Sequence, residues 1–389
     1  MLAYSFLLFI LIFGVFHFDY RGKTILKNLY YYFIFIYCIL LTGLRYRVGG
    51  DTLAYEDYFP FYPDLRTYFS FLNGDNEYFG YQPLYLLFVA FCKSLNPDYY
   101  FYQIIHSIIY NSFFFWFIKK YSKYRFTTIL ISYIFLLYFY FGFEIQREIF
   151  AICCFLVAYK YFMENKWLPY FLICIVAFGF HISAIFLFIL PLFKLIKFST
   201  RFLIISIIIS IPLLFSKIFF IDFIKVILVT DFMQKKGEAY SEMEFSILGI
   251  LFFYFVRVIV FIPFLFYYSK NKLRDKNFDW MFVGLLWMSI LSQVMVGFDR
   301  VSNYIYLPFI IFVTHVIYNK KEWVNTFFGK KAIISSLYLF IFSIIGVKLL
   351  VANIDNKYYY YSVYFPYESV LDKKETKARE RFIREMWAN

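Results

Sequence analysis

From Leu2 to Leu350 the chain repeats one feature: apolar runs of about 17–22 residues, each long enough to cross a bilayer as a helix. A backbone that enters hydrocarbon must satisfy its own hydrogen bonds, so such runs fold as helices or as closed barrels. Barrels need short segments of alternating polarity, and the sequence has none. The expected fold class is an all-α polytopic integral membrane protein with about twelve transmembrane helices. Composition agrees. The chain is 62% hydrophobic with a mean hydropathy of +0.64, where a soluble domain is about half apolar. Pro83–Leu95 is also apolar but short, and is expected as a re-entrant or outer-surface helix.

Charge sets the expected topology. Basic residues cluster in alternate loops: Arg21, Lys23 and Lys27; Lys119, Lys120, Lys123 and Arg125; Lys194, Lys197 and Arg201; Lys270, Lys272, Arg274 and Lys276; Lys320, Lys321, Lys330 and Lys331. The positive-inside rule places these loops in the cytoplasm. They also explain the net charge of +13 without nucleic acid, which is excluded as a partner. The remaining loops fall outside. One transmembrane domain is expected over residues 1–350, with outer loops at 45–98 and 221–246. A tail of aromatic and charged residues, 351–389, is expected on the outer side. The run Leu2–Phe18 lacks a basic start and a small-residue cleavage site, so it reads as a retained helix.

This topology gathers polar residues from distant segments at one membrane level: Arg45, Arg47, Asp51, Glu144, Arg147, Glu148, His181, Asp299 and Arg300. Arginine is disfavoured outside by the sorting rule, which makes the set informative. In "RYRVGGD" glycines can turn N–H groups toward an anion, and Arg45 or Arg47 can grip a phosphate. In "FGFEIQREIFA" Arg147 opens a helix whose N-terminus adds positive potential, with Glu144 and Glu148 as its competing ion-pair partners. "FGFHISAIF" places His181 beside Ser183, and "GFDRVSNYIYLP" offers Asp299, Arg300 and Asn303. Arg257 sits near mid-span, as an internal ion pair or as part of a pathway. The four histidines and five cysteines have no ligand spacing, so no metal site, disulfide framework or cofactor is expected. The run "YYYYSVYFPY" at 358–367 is able to stack on sugar rings or to rest on the interface.

In this order, "LRYRVGGDTLAY", "YQPLYLLF", "IQREIFA", "FHISAIF" and "DRVSNYIYLPF" resemble the EpsG-like branch of the Wzy-type O-antigen, capsule and exopolysaccharide repeat-unit polymerases. The resemblance points to Arg45, Gly49, Asp51 and Tyr55 in the first motif. It points to Arg147 in the second, His181 and Ser183 in the third, and Arg300 and Tyr304 in the last. Gly50 and Thr52 depart from the family's first motif, and Glu148 stands where the family usually has Gln.

The resemblance implies a metal-independent glycosyltransferase in the bacterial cytoplasmic membrane. A growing glycan on undecaprenyl diphosphate passes to a new lipid-linked repeat unit at the outer face. The implied catalytic residues are Asp51, Arg147, His181 and Arg300. The implied substrate contacts are Arg45, Gly49, Tyr55, Ser183 and Tyr304, to which the placement of charges adds Arg47, Glu144 and Arg257. The implied partners are the undecaprenyl-diphosphate-linked oligosaccharide, membrane lipids and a chain-length regulator protein. A lipid-linked oligosaccharide flippase and an O-antigen ligase remain as alternatives, with Arg257 favouring the flippase.

Overall fold

The computed structural model describes residues 2–74, 80–215, 247–270, 275–293, 296–318, 330–350 and 360–388. The expected outer loop at 221–246 lies outside the described residues. So do residues 75–79 of the loop at 45–98 and residues 351–359 of the tail. Among the described residues every regular element is helical, with one isolated antiparallel bridge between Arg45 and Ser369. The chain forms two compact units. The first is Met1–Ile182, Ile310–Tyr318 and Ile345–Asn389; the second is Ser183–Phe309 and Asn319–Ile344.

The first unit contains α1 (Leu2–Gly14), prolonged by a π turn Val15–Tyr20, then α2 (Lys27–Gly43), α3 (Thr52–Tyr58), α4 (Tyr68–Asn73), α5 (Pro83–Leu95) and α6 (Tyr99–Tyr121). It continues with α7 (Arg125–Ile134), a short arm Leu137–Glu144, α8 (Glu148–Met163) and α9 (Trp167–Phe180). Local chemistry sets the starts. Pro83 opens α5 in its first turn, where a missing N–H costs nothing. The Asp98 carboxylate caps α6 by accepting from the Tyr100 N–H at 2.9 Å. α5 is about 20 Å long, short of the ~30 Å hydrocarbon core.

α2 and α6 pack antiparallel through small and polar side chains. A Cβ on Gly43 would lie 3.3 Å from the Ser107 Cβ, so the backbones approach closely. Next to it the Thr42 and Ser107 hydroxyls meet at 2.5 Å, Asn111 donates to Thr42 at 2.9 Å, and Tyr138 donates to Asn111 at 2.7 Å. These bonds satisfy polar groups that would be costly alone in an apolar interior.

The pairing gives the first unit two chemically distinct ends. At one, Lys119 donates to Tyr32 at 2.8 Å, Arg125 donates to Asn28 at 3.2 Å, and buried Asp19 accepts from the Thr127 N–H at 2.8 Å. This end holds the basic residues of the first unit around Lys27 and residues 119–125. At the other, Gln103 of α6 donates to the carbonyls of Gly43 and Arg45, both at 2.8 Å. α8 and α9 also run antiparallel, since the Phe150 and Phe180 rings meet at 5.5 Å and the Phe162 and Tyr170 rings at 5.4 Å. Arg147 and His181 therefore share one end of that hairpin.

The second unit is built from α10 (Thr200–Phe215), α11 (Ile247–Arg257), α12 (Ile262–Lys270), α13 (Asp279–Leu291), the Asp299–Phe309 part of α14 (Asp299–Tyr318) and α15 (Lys330–Leu350) up to Ile344. Its core is aromatic. Phe261 stacks on Phe340 with centroids 3.7 Å apart, and Tyr268 packs on Phe282 at 3.9 Å.

Among the described residues three helices are long and apolar enough to cross a membrane: Leu2–Tyr20, Leu248–Lys270 and Asp299–Tyr318. A fourth joins them if Arg125–Ile134 and Leu137–Glu144, bent by 83°, form one span. The helical membrane class expected from the sequence holds, while several expected spans are broken. Leu136 at the 83° bend has a φ of 61°, and the expected span Ile182–Phe193 is a 3-10 helix followed by one short turn. Apolarity sets where a segment partitions, but it does not keep a helix continuous.

The tail belongs to the first unit. After a 3-10 turn at Tyr360–Val363 it ends in α16 (Lys377–Ala388) and lies against the loop that follows α2. The Val370 N–H donates to the Leu44 carbonyl and the Tyr46 N–H to the Glu368 carbonyl, both at 2.8 Å; the Gly49 N–H donates to the Val363 carbonyl at 3.1 Å.

Candidate functional site

The loop between α2 and α3 carries the first motif. Arg45 is fully buried. Its Nε donates to the Val48 carbonyl at 3.2 Å and its Nη1 to the Thr42 carbonyl, and its guanidinium lies 5.0 Å from the Phe143 ring centre. Among the described residues no carboxylate comes within ion-pair distance of it, and its Nη2 has no hydrogen-bond partner. Burial pulls its pKa below the ordinary arginine value. Arg45 thus ties the loop together from inside.

Arg47 faces the other way. Its guanidinium meets Glu56 at 3.0 Å, Glu380 at 3.1 Å and Glu375 at 3.3 Å. Gly49 has a φ of 119°, a region glycine enters without strain. Asp51, at the start of α3, is half-buried.

α3 presents Tyr55 toward α8. The Arg147 Nε donates to the Tyr55 hydroxyl at 3.3 Å, and the guanidinium stacks 4.2 Å from the Tyr81 ring centre. Arg147 is half-buried, and among the described residues no carboxylate pairs with it. Burial pushes the Tyr55 hydroxyl well above its usual pKa, with Arg147 pulling it part of the way back, so Tyr55 stays neutral. A guanidinium held by a neutral hydroxyl and a ring keeps its full charge for an incoming anion. Tyr81 joins Tyr55, Tyr62, Tyr85, Tyr99 and Tyr102 in one aromatic cluster at this helix end.

Glu144, 3% exposed, accepts from Tyr360 at 2.8 Å and from Tyr364. Gln146 donates to Tyr99 at 3.0 Å, and its carbonyl lies 2.9 Å from the His106 ring. His181, 5% exposed, follows α9 with its backbone N–H bonded to Ala177 at 3.1 Å.

In the second unit, Arg257 closes α11 and grips Asp299 at 2.6 and 2.7 Å. Of the two expectations for Arg257, this is the ion pair. The Ser183 and Tyr304 hydroxyls meet at 2.8 Å. Arg300 is half-buried in the first turn of α14. Removing one partner of a partly buried pair strands the other charge. Arg257→Ala is therefore expected to lower stability by about 1–3 kcal/mol, and Arg257→Ala with Asp299→Ala by less than the single change. Thermal unfolding of the detergent-solubilised variants checks this.

The expected residues thus divide between the units. Arg45, Arg47, Gly49, Asp51, Tyr55, Glu144, Arg147 and His181 lie in the first; Ser183, Arg257, Arg300 and Tyr304 lie in the second. Sequence reasoning missed the partners Gln103, Tyr99 and Gln146, and the tail residues Tyr360, Tyr364, Arg379 and Glu380. "YYYYSVYFPY" stood out by its aromatics, but nothing local ties it to Glu144.

The apolar helices define a helical membrane protein, and the described helix end of its first unit carries the arginine-bearing motifs. Residues 28–369 match the EpsG family, so the chain belongs to it. EpsG-like proteins are Wzy-type polymerases, which gives this chain a polysaccharide polymerase-type function. No curated protein and no solved structure matches the chain.

Proposed function

We propose that the chain polymerises lipid-linked oligosaccharide repeat units at the outer face of the bacterial cytoplasmic membrane. Undecaprenyl diphosphate carries the growing glycan. A hydroxyl of the new lipid-linked unit attacks the anomeric carbon of the glycan's first sugar. The bond from that carbon to the diphosphate oxygen breaks, and the diphosphate leaves with the electron pair. The hydroxyl proton passes to a base, Asp51 or His181. The carrying observation is Arg147, a guanidinium set on tyrosines rather than on a carboxylate. It is suited to charge growing on a departing diphosphate, and arginines supply that positive charge without a metal. Arg300 and Tyr304 take their roles from the motif resemblance, as does a chain-length regulator partner, while about twelve crossings rest on the apolar runs and a non-crossing α5 on the alternation of charge between loops. Arg257, the residue that favoured a flippase, is committed to Asp299.

The test is deletion of the gene in its own strain, followed by electrophoresis of the surface polysaccharide. Single repeat units on the surface carrier support the proposal. Repeat units trapped inside the cell replace it with a flippase, and full-length chains left on the lipid replace it with a ligase.

A further inference from the structure

The tail touches both motif segments of the first unit. Arg379, 2% exposed, donates from Nε to the Ser362 carbonyl at 3.0 Å, from Nη1 to the Arg47 carbonyl at 3.3 Å, and from Nη2 to the Pro366 carbonyl. One buried guanidinium thus links α16, the turn before it and the first motif. The side chain of Arg47 is held by Glu375 and Glu380, and Arg384 of α16 meets Asp57 of α3 at 3.0 Å. The second motif is held by hydroxyls: Tyr360 and Tyr364 both donate to Glu144, three residues before Arg147. Gly50 makes room for this contact, since a Cβ there would lie 2.9 Å from the Tyr360 oxygen. α16 lies beyond residues 28–369, which match the family.

We propose that the C-terminal segment 360–388 is a built-in clamp that sets the first motif against the second, with Tyr360, Tyr364, Arg379 and Glu380 as positioning residues for Arg147. The clamp works docked. It spans two segments about a hundred residues apart in sequence, and a site good to a fraction of an ångström needs such support around the groups that touch substrate. The inference rests on the polymerase reading, and its test separates the two.

The gene-deleted strain is complemented with wild type, with a chain ending at residue 359, with Tyr360→Phe/Tyr364→Phe, with Arg379→Ala and with Arg379→Lys. A further variant, Asp57→Cys/Arg384→Cys, is bridged by a short membrane-impermeant bis-maleimide. Polymer output, protein level in the membrane and the melting midpoint in detergent are read for each. The truncated chain and Arg379→Ala are expected to lose output at least about tenfold, and Arg379→Lys to recover on the order of a third of it because a charge without the planar fork holds fewer carbonyls. The double Phe variant keeps its rings but takes two donors from the buried Glu144 carboxylate, so its melting midpoint is expected to fall; output per membrane-inserted protein is expected to fall several-fold at a temperature where the variant is still fully folded, which a role in stability alone would not produce. The bridged variant is expected to polymerise like wild type. Loss of output on bridging would instead make the segment a lid that must open. Wild-type output from the double Phe variant and from Arg379→Ala overturns the clamp while leaving the polymerase reading intact. Normal polymer from the uncomplemented deletion strain overturns the polymerase reading itself.

Discussion

Arg147→Ala, inserted at normal level, is expected to lower polymer output by about a hundredfold or more, the loss typical when one donor to a developing anion is removed. The partners of Arg147 explain the size of the effect. Its guanidinium has a hydroxyl at 3.3 Å and a ring at 4.2 Å, and among the described residues it has no carboxylate. Among the described residues no competing carboxylate must be displaced before it can meet a diphosphate. Arg147→Lys keeps the charge but gives up the planar fork and the stack on Tyr81, so an intermediate loss is expected. The same change at Arg47, whose charge is already balanced by Glu56, Glu375 and Glu380, is expected to cost much less output. The gel assay, read against membrane protein level, decides it. Near-normal polymer from Arg147→Ala would remove this arginine from the mechanism.

Gly49→Ala is expected to unfold the first motif. The residue has a φ of 119°, where an alanine is strained by about 1–3 kcal/mol. Its Cβ would also lie 2.7 Å from the Phe143 carbonyl oxygen and 3.0 Å from the Phe143 Cβ. A side chain can turn away from such a clash, but this backbone runs directly into Glu144, which Tyr360 holds at 2.8 Å. Relief requires moving one motif away from the other, and overpacking of this kind adds about 1–3 kcal/mol. The expected result is a lower melting midpoint together with lost polymer while Arg147 is intact. Gly50→Ala, with an ordinary φ and a clash against the Tyr360 hydroxyl alone, is expected to be milder on stability. A Gly49→Ala protein that melts and polymerises like wild type would disprove the close approach to Phe143.

The two changes probe different dependencies. In the proposed mechanism Arg147 acts through charge offered to the substrate, so its loss is expected to show in output rather than in the melting midpoint. Gly49 acts through the space that lets two segments meet, and its loss reaches Arg147 only by moving it.

By itself the sequence determined the helical membrane class of this protein and, within the first unit, which helix end carries basic residues. Apolar runs dictate membrane helices because unpaired backbone cannot sit in hydrocarbon. The basic loops marked one end of the helices, and the first unit keeps Lys119 and Arg125 at the end opposite Arg45. The motif order also pointed to the EpsG family, to which the chain belongs. Only the tertiary structure decided what each arginine does. Nothing in the sequence says which partner Arg45, Arg47, Arg147 or Arg257 takes. One is buried among carbonyls, one is held by three carboxylates, one is set on tyrosines and one is paired with Asp299. Arg45 turns back on carbonyls three residues away, whereas Arg147, Arg257 and two of the three carboxylates on Arg47 pair across tens to hundreds of residues, and such pairing leaves no periodic trace in the chain. The same reason hid the tail: Tyr360 and Tyr364 read as two more aromatics until folding brought Glu144 to them. The breaks at Leu136 and Ile182 were equally silent, because hydropathy records the solvent a segment prefers and not the continuity of its backbone.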